Sequence, residues 1–157
     1  MTTNVEIERK FLVKTTTFLN EIEHQSKCMK QGYLCNEKEK TVRVRTDGTN
    51  GYLTIKGVTN GIQRKEYEYQ IPLNEAEELI ALCDGVIEKT RHYIPIEKHV
   101  YEVDVFEGLN KGLIVAEIEL KSVDEEFVKP EWLGEEVSHD TRYFNAQLIK
   151  VPFSQWK

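Results

Sequence analysis

Basic residues are the minority among the charges of this chain: 21 Lys and Arg stand against 27 Asp and Glu, a formal net charge of -6 at pH 7. That balance argues against a nucleic-acid partner, because such binding draws its affinity from a broad basic surface. It leaves a small polyanion open, since a local Lys/Arg cluster, or a divalent cation between carboxylates and phosphate, acts at close range. Long apolar runs are missing as well. None approaches the roughly 18 residues that span a bilayer, and Met1 to Glu8 has neither a basic n-region nor an apolar h-region, so no membrane partner and a cytoplasmic location are expected. Cysteine is scarce: Cys28, Cys35 and Cys83 are odd in number, lack C-x-x-C spacing and belong to a chain too long to need disulfide staples, so they read as reduced thiols. His24, His92, His99 and His139 are scattered, without the spacing of a zinc finger or a zinc protease. No linker rich in Pro, Gly or Ser, no repeat and no low-complexity stretch divides the 157 residues, and one domain over 1–157 is expected.

What is present is alternation. Segments 4–13, 41–46, 51–57, 64–71, 88–94, 100–106 and 113–121 place apolar residues on one face and charged residues on the other with the period of a strand. Asp47-Gly48, Asn50-Gly51, Asn60-Gly61 and Gly108 punctuate them as turns. Helices are few. The pattern predicts one over 74–83, with Asn74 as its cap and Glu77 at the third helical position, another over 141–149 after Ser138-His139-Asp140, and a short one near 125–133. The chain is therefore a mainly β (α+β) protein with an antiparallel arrangement.

Read along their polar faces, the strands sort charge: Glu6, Glu8 and Lys10; Arg43 and Arg45; Lys56; Arg64, Glu66 and Glu68; Lys89 and Arg91; Glu102 and Asp104; Glu117, Glu119 and Lys121. Val42, Val44, Leu53, Ile55, Val103, Val105, Ala116 and Ile118 fall opposite. Two arrangements explain such faces. A half-buried sheet with one side in water is the commonest cause of the alternation. An enclosed charged site is the other, and it needs counter-charges: like charges about 7 Å apart repel by roughly 0.6 kcal/mol in water but about 2.4 kcal/mol at an effective dielectric near 20. The mixture of carboxylates with guanidinium and ammonium groups supplies such counter-charges.

The opening Val5-Glu6-Ile7-Glu8-Arg9-Lys10 resembles the E-x-E-x-K motif of the CYTH family, the triphosphate tunnel metalloenzymes. Further resemblances follow in the family's order: Gln31-Gly32-Tyr33-Leu34, Val42-Arg43-Val44-Arg45, Leu53-Thr54-Ile55-Lys56, Arg64-Lys65-Glu66-Tyr67-Glu68, Glu88-Lys89-Thr90-Arg91, Glu102-Val103-Asp104-Val105-Phe106, Val115-Ala116-Glu117-Ile118-Glu119, and Glu135-Glu136-Val137 through Asp140, Tyr143, Asn145 and Leu148. The resemblance implies an eight-stranded antiparallel β-barrel, or tunnel, with a charged interior and a few outer helices. It also implies Mg²⁺ or Mn²⁺ on Glu6, Glu8, Glu102, Asp104, Glu117 and Glu119, whose hard oxygens suit those ions. The phosphate chain falls to Lys10, Arg43, Arg45, Lys56, Arg64, Lys89 and Arg91, with Glu66 and Glu68 organising the cations. Tyr33 and Lys10 resemble a catalytic Tyr/Lys pair of the compact bacterial members.

The expected reaction is hydrolysis of inorganic tripolyphosphate to pyrophosphate and phosphate by a monomer or homodimer. A class IV-like adenylate cyclase, a thiamine or nucleoside triphosphatase and a non-catalytic polyphosphate-binding module are the alternatives, because the family's tunnel serves several reactions.

Overall fold

The structure is a computed structural model and describes residues 4–156. Nine strands run in order: β1 (Val5–Val13), β2 (Gln25–Asn36), β3 (Thr41–Thr46), β4 (Gly51–Lys56), β5 (Gln63–Ile71), β6 (Val86–Ile96), β7 (His99–Phe106), β8 (Ile114–Glu119) and β9 (Leu133–Glu136). All pairings are antiparallel. The order β5-β4-β3-β2-β6-β7-β8-β1, with β1 returning to β5, closes eight strands into a barrel, and β9 adds to β1. The seam is short. Val5, Glu6 and Ile7 face Lys65, Arg64 and Gln63 of β5, and farther along β1 its free edge is taken by β9, at Phe11 and Val13.

The usual arrangement of core and surface is inverted. Outward faces are apolar and are covered from outside in three places. Phe11, Ile94, Tyr101, Val103 and Ile118 pack under Phe18 of α1 (Phe18–Glu21) and under Trp132, which stacks on Phe18 with ring centroids 4.0 Å apart. Val44 packs under Ala76 and Ile80 of α2 (Leu73–Ala81). Ile87, Phe106, Leu113 and Val115 receive Leu148 of α3 (Asn145–Lys150). No described helix is long and apolar enough to cross a membrane.

The expected strands are present, with β3 matching its predicted bounds, but four local expectations are corrected. Helix α2 starts at Leu73 behind Pro72, whose φ of -57° and lack of an N–H end β5 and turn the chain inward. Asn74 therefore sits inside the first turn and caps nothing. Gly51 is a strand residue: a Cβ there would lie 2.6 Å from the Ala76 Cβ, so the glycine exists to let α2 press on the sheet. Residues 125–132 form no helix; Pro130 interrupts them, and Leu133 opens β9. The helix over 141–149 is split into a 3-10 turn, Thr141–Tyr143, and α3 by an extended Phe144 at φ -71°, ψ 133°. Asp140 does serve as the turn's cap, accepting from the Arg142 N–H at 3.1 Å.

Candidate active site

Alternate residues of the eight barrel strands point inward and enclose a cavity of about 250 Å³. Glu6, Glu8 and Lys10 come from β1, Tyr33 from β2, Arg43 and Arg45 from β3, Lys56 from β4, Arg64, Glu66 and Glu68 from β5, Lys89 and Arg91 from β6, Glu102 from β7, and Glu117 and Glu119 from β8. Of the site residues expected from sequence, Asp104 alone fails to reach the wall. It is fully buried behind Lys89 and Arg91, and both its oxygens are taken: Lys89 Nζ donates to Oδ2 at 2.8 Å, while Arg91 Nε and Nη2 donate to Oδ1 and Oδ2 at 2.7 and 2.9 Å. In this structure Asp104, expected as a metal ligand, holds two cations.

Acids crowd one wall. Strand register sets Glu8 directly across from Glu119 and Glu102 across from Glu117, pairings of like charge that disfavour a sheet. Burial, then Glu117 and Glu6, pushes the Glu8 carboxyl up to about 8. Glu6, Glu102 and Glu119 are raised as well, chiefly by burial. Glu117 goes the other way: burial opposes its charge, but Lys10, Arg91 and Lys89 outweigh burial and hold it well below the carboxylate range. Cations crowd the facing wall. Burial and the neighbouring Arg43 and Arg91 pull Arg45 down to about 10. The Nε atoms of Arg43 and Arg45 are buried without hydrogen-bond partners. Glu68 lies between these guanidiniums, 3.6 and 3.7 Å away, and is itself held by Thr54 Oγ1 at 2.9 Å; Glu66 flanks Lys56 at 3.3 Å. Arg64 is spent locally, donating through Nε and Nη2 to the Gly57 carbonyl at 3.1 and 2.7 Å.

This electrostatics carries a testable pH dependence. Glu8 titrates near 8 in the folded protein and near 4.5 when unfolded, so between those values the folded state holds the extra proton and stability falls as pH rises. Glu117 and Asp104 have finished their contribution below this window, while Lys89, brought down to about 8 chiefly by burial, acts with opposite sign only above it. Chelator-treated protein should melt about 2–4 °C lower at pH 8 than at pH 6.5, read by circular dichroism. An equal or higher melting temperature at pH 8 would contradict the buried acid wall.

The C-terminal segment forms one end of the cavity. Phe144, Asn145 and Ala146 line it; the Lys10 ammonium lies 5.1 Å from the Phe144 ring centroid and donates to the Tyr143 carbonyl at 3.3 Å. Lys10 also faces Glu117 at 3.5 Å. No hydrogen bond joins Lys10 to Tyr33, and both reach the cavity. Toward the other end, Thr59, Gly61 and Ile62 of the β4–β5 loop complete the wall. These loop residues, with Thr41, Ser138, Phe144 and Ala146, were not foreseen. Ser138 and Phe144 lie in irregular backbone, where no periodicity assigns a face.

A divalent cation fits the donor chemistry of the acid wall. Burial first, and the neighbouring carboxylates second, raise Glu6, Glu8, Glu102 and Glu119, and a cation among these hard oxygens offsets both. Among the described residues no three such ligands yet close on one point. Ammonium groups occupy them instead: Lys56 donates to Glu6 Oε1 at 2.9 Å, and Lys10 faces Glu117.

The CYTH domain model matches residues 4–150. An inorganic triphosphatase of Acetivibrio thermocellus is 45% identical over 154 residues, 97% of each chain, and one of Nitrosomonas europaea is 38% identical over 153 residues, 94% of this chain and 99% of the relative. The crystal structure of the inorganic triphosphatase NE1496 superposes with a TM-score of 0.67 at 36% identity over 95% of both chains. Near-complete matches of this kind, on a barrel whose charges point inward, mean that the chain belongs to the CYTH family, whose tunnel implies a divalent metal ion.

Proposed function

We propose that this chain, as one domain over 1–157 in the cytoplasm, hydrolyses inorganic tripolyphosphate to pyrophosphate and phosphate with Mg²⁺ or Mn²⁺. The observation that carries this reading is the pair of buried, partnerless Nε donors of Arg43 and Arg45 facing an acid wall across a small cavity. Unsatisfied buried donors cost stability, and a polyanion satisfies them. The enclosed volume of about 250 Å³ suits an inorganic chain. Charged and polar side chains make up most of the wall; Tyr33 and Phe144 are its aromatic residues, and Phe144 already lies against Lys10. Inorganic triphosphatase relatives of the same length support the same choice.

In this reading Arg43, Arg45, Lys56, Lys89 and Arg91 bind the phosphate oxygens, and Arg64 joins them by leaving Gly57. Glu66 and Glu68 orient the cations they flank. Glu6, Glu8, Glu102, Glu117 and Glu119 would hold the metal, with Lys56 and Lys10 turning from the acids to the phosphate chain. When bound, the metal supplies neutralisation of phosphate charge and a lowered pKa for the attacking water. Lys10 protonates the departing oxygen from its place beside Phe144, and the Tyr33 hydroxyl assists from the opposite strand.

Phosphorus NMR of the purified protein with tripolyphosphate, ATP and thiamine triphosphate, each with Mg²⁺ or Mn²⁺, should show orthophosphate and pyrophosphate forming fastest from tripolyphosphate. Glu119→Gln should slow that reaction by about 100-fold or more, and Tyr33→Phe by about 10-fold. Cyclic AMP with pyrophosphate from ATP would make the chain a cyclase, and binding without turnover would make it a polyphosphate-binding module.

A further inference from the structure

Lys89 sits where the barrel meets the C-terminal segment, with a side chain 1% exposed. An ammonium has three N–H donors and no acceptor. One goes to Asp104 Oδ2 at 2.8 Å and a second to Asn145 Oδ1 at 3.0 Å, which leaves one for whatever enters the cavity. Because lysine only donates, the group that Asn145 turns to it must be its carbonyl oxygen. That same oxygen accepts a second bond, from Gln31 Nε2 at 3.3 Å. The orientation of Asn145 therefore dictates that of Gln31, whose amide oxygen is left buried and without a partner in a residue with no exposed surface. A core built for stability alone would not leave that acceptor orphaned. The arrangement makes sense if the direction of the Lys89 donors is what the amides serve.

Charge points the same way. Asp104 shares its one negative charge between Lys89 and Arg91; Arg91 has a second carboxylate in Glu102 at 3.1 Å, whereas Asp104 is the one carboxylate in ion-pair contact with Lys89. A neutral amide at position 145 holds Lys89 without adding a second negative charge to it, whereas a carboxylate in the same place would add one.

We propose that Asn145 and Gln31 are positioning residues for the substrate: their amides fix Lys89 so that its remaining N–H meets the end of the phosphate chain nearest the C-terminal segment. The inference rests on the triphosphate reading and deepens it.

Three variants separate this role from simple support of the fold. Asn145→Asp keeps shape and acceptor but adds a charge; Gln31→Met keeps length but removes the amide; Asn36→Ala removes a tie to the same segment, the 2.9 Å bond from Asn36 Nδ2 to the Ala146 carbonyl, without touching Lys89. Binding of inorganic tripolyphosphate in metal-free buffer, measured by calorimetry, should weaken about 10-fold in Asn145→Asp and about 3-fold or more in Gln31→Met. KM should rise in step, while kcat stays within about threefold and the melting temperature of Asn145→Asp does not fall. Asn36→Ala should bind as the wild type does, with a lowered melting temperature. Wild-type affinity in both amide variants would overturn the positioning role while leaving the triphosphate reading intact. Equal weakening in Asn36→Ala and Asn145→Asp would overturn it too, by assigning the effect to segment docking alone. No binding by the wild type would bring down both.

Discussion

Asp104→Ala should lower the unfolding free energy by roughly 3–5 kcal/mol, because it strands two buried cations rather than merely deleting an acid. Lys89 and Arg91 make three hydrogen bonds to this one carboxylate, at 2.7–2.9 Å, and the carboxylate has no exposed surface. Burial acts against the charge of both cations, and the carboxylate opposes that in each. With Asp104 gone, Arg91 keeps only Glu102 at 3.1 Å and a distant Glu117 at 3.9 Å. Urea unfolding at neutral pH reads the effect directly. A metal ligand in an open wall would behave otherwise: its loss relieves repulsion in the metal-free protein and leaves stability unchanged or higher. A destabilisation below about 1 kcal/mol would therefore restore Asp104 to the acid wall. Glu119→Gln is the natural comparison, because Glu119 faces Glu8 across the β1–β8 ladder and its carboxyl is raised, so the neutral amide should not weaken the metal-free fold.

How much of this was legible in the sequence follows from where backbone periodicity reaches. Arg43 and Arg45 alternate with Val42 and Val44, and in a strand that alone puts both guanidiniums on one face; β3 came out with its predicted bounds. The same logic gave the inward acids of β1 and β8. It could not say whether the charged face looked into water or into a closed space, because closure rests on three register pairs between β1 and β5, which are far apart in sequence. The ordered resemblance supplied that step. Periodicity also missed β2, where Lys27, Cys28, Met29, Lys30 and Gln31 show no alternation of apolar and charged residues and the first four positions of the strand, Gln25 to Cys28, are exposed. Nor could depth be read. Glu102 and Asp104 are equivalent by period, yet Glu102 reaches the cavity and Asp104 is sealed beneath two cations. Phe144 escaped for the opposite reason: an apolar residue in a helical pattern reads as core, and only the break in that helix turns its ring to Lys10.

Arg45→Ala should cut kcat/KM for tripolyphosphate by about 100- to 1,000-fold, equivalent to roughly 2.7–4 kcal/mol of transition-state stabilisation. The reason is the same one that makes the residue uncomfortable without ligand. Arg45 is held between Arg43 and Arg91, which with burial bring its guanidinium down to about 10, and its Nε has no acceptor. The carboxylate within ion-pair distance, Glu68 at 3.7 Å, is already engaged by Thr54 and Arg43, and Glu102 acts from farther away. Removing Arg45 from the empty barrel thus removes repulsion with little lost bonding, and the melting temperature of the ligand-free variant should equal or exceed that of the wild type. Stabilisation by added tripolyphosphate should shrink, because a ligand stabilises only through its affinity for the folded state. Arg45→Lys should fall between, keeping the charge while losing the fork that grips two oxygens at once. The combination of lower activity with undiminished stability is the signature of a residue held for its ligand. A variant that keeps kcat/KM within threefold, or that loses activity only in proportion to unfolding, would move Arg45 from the phosphate site to the supporting wall.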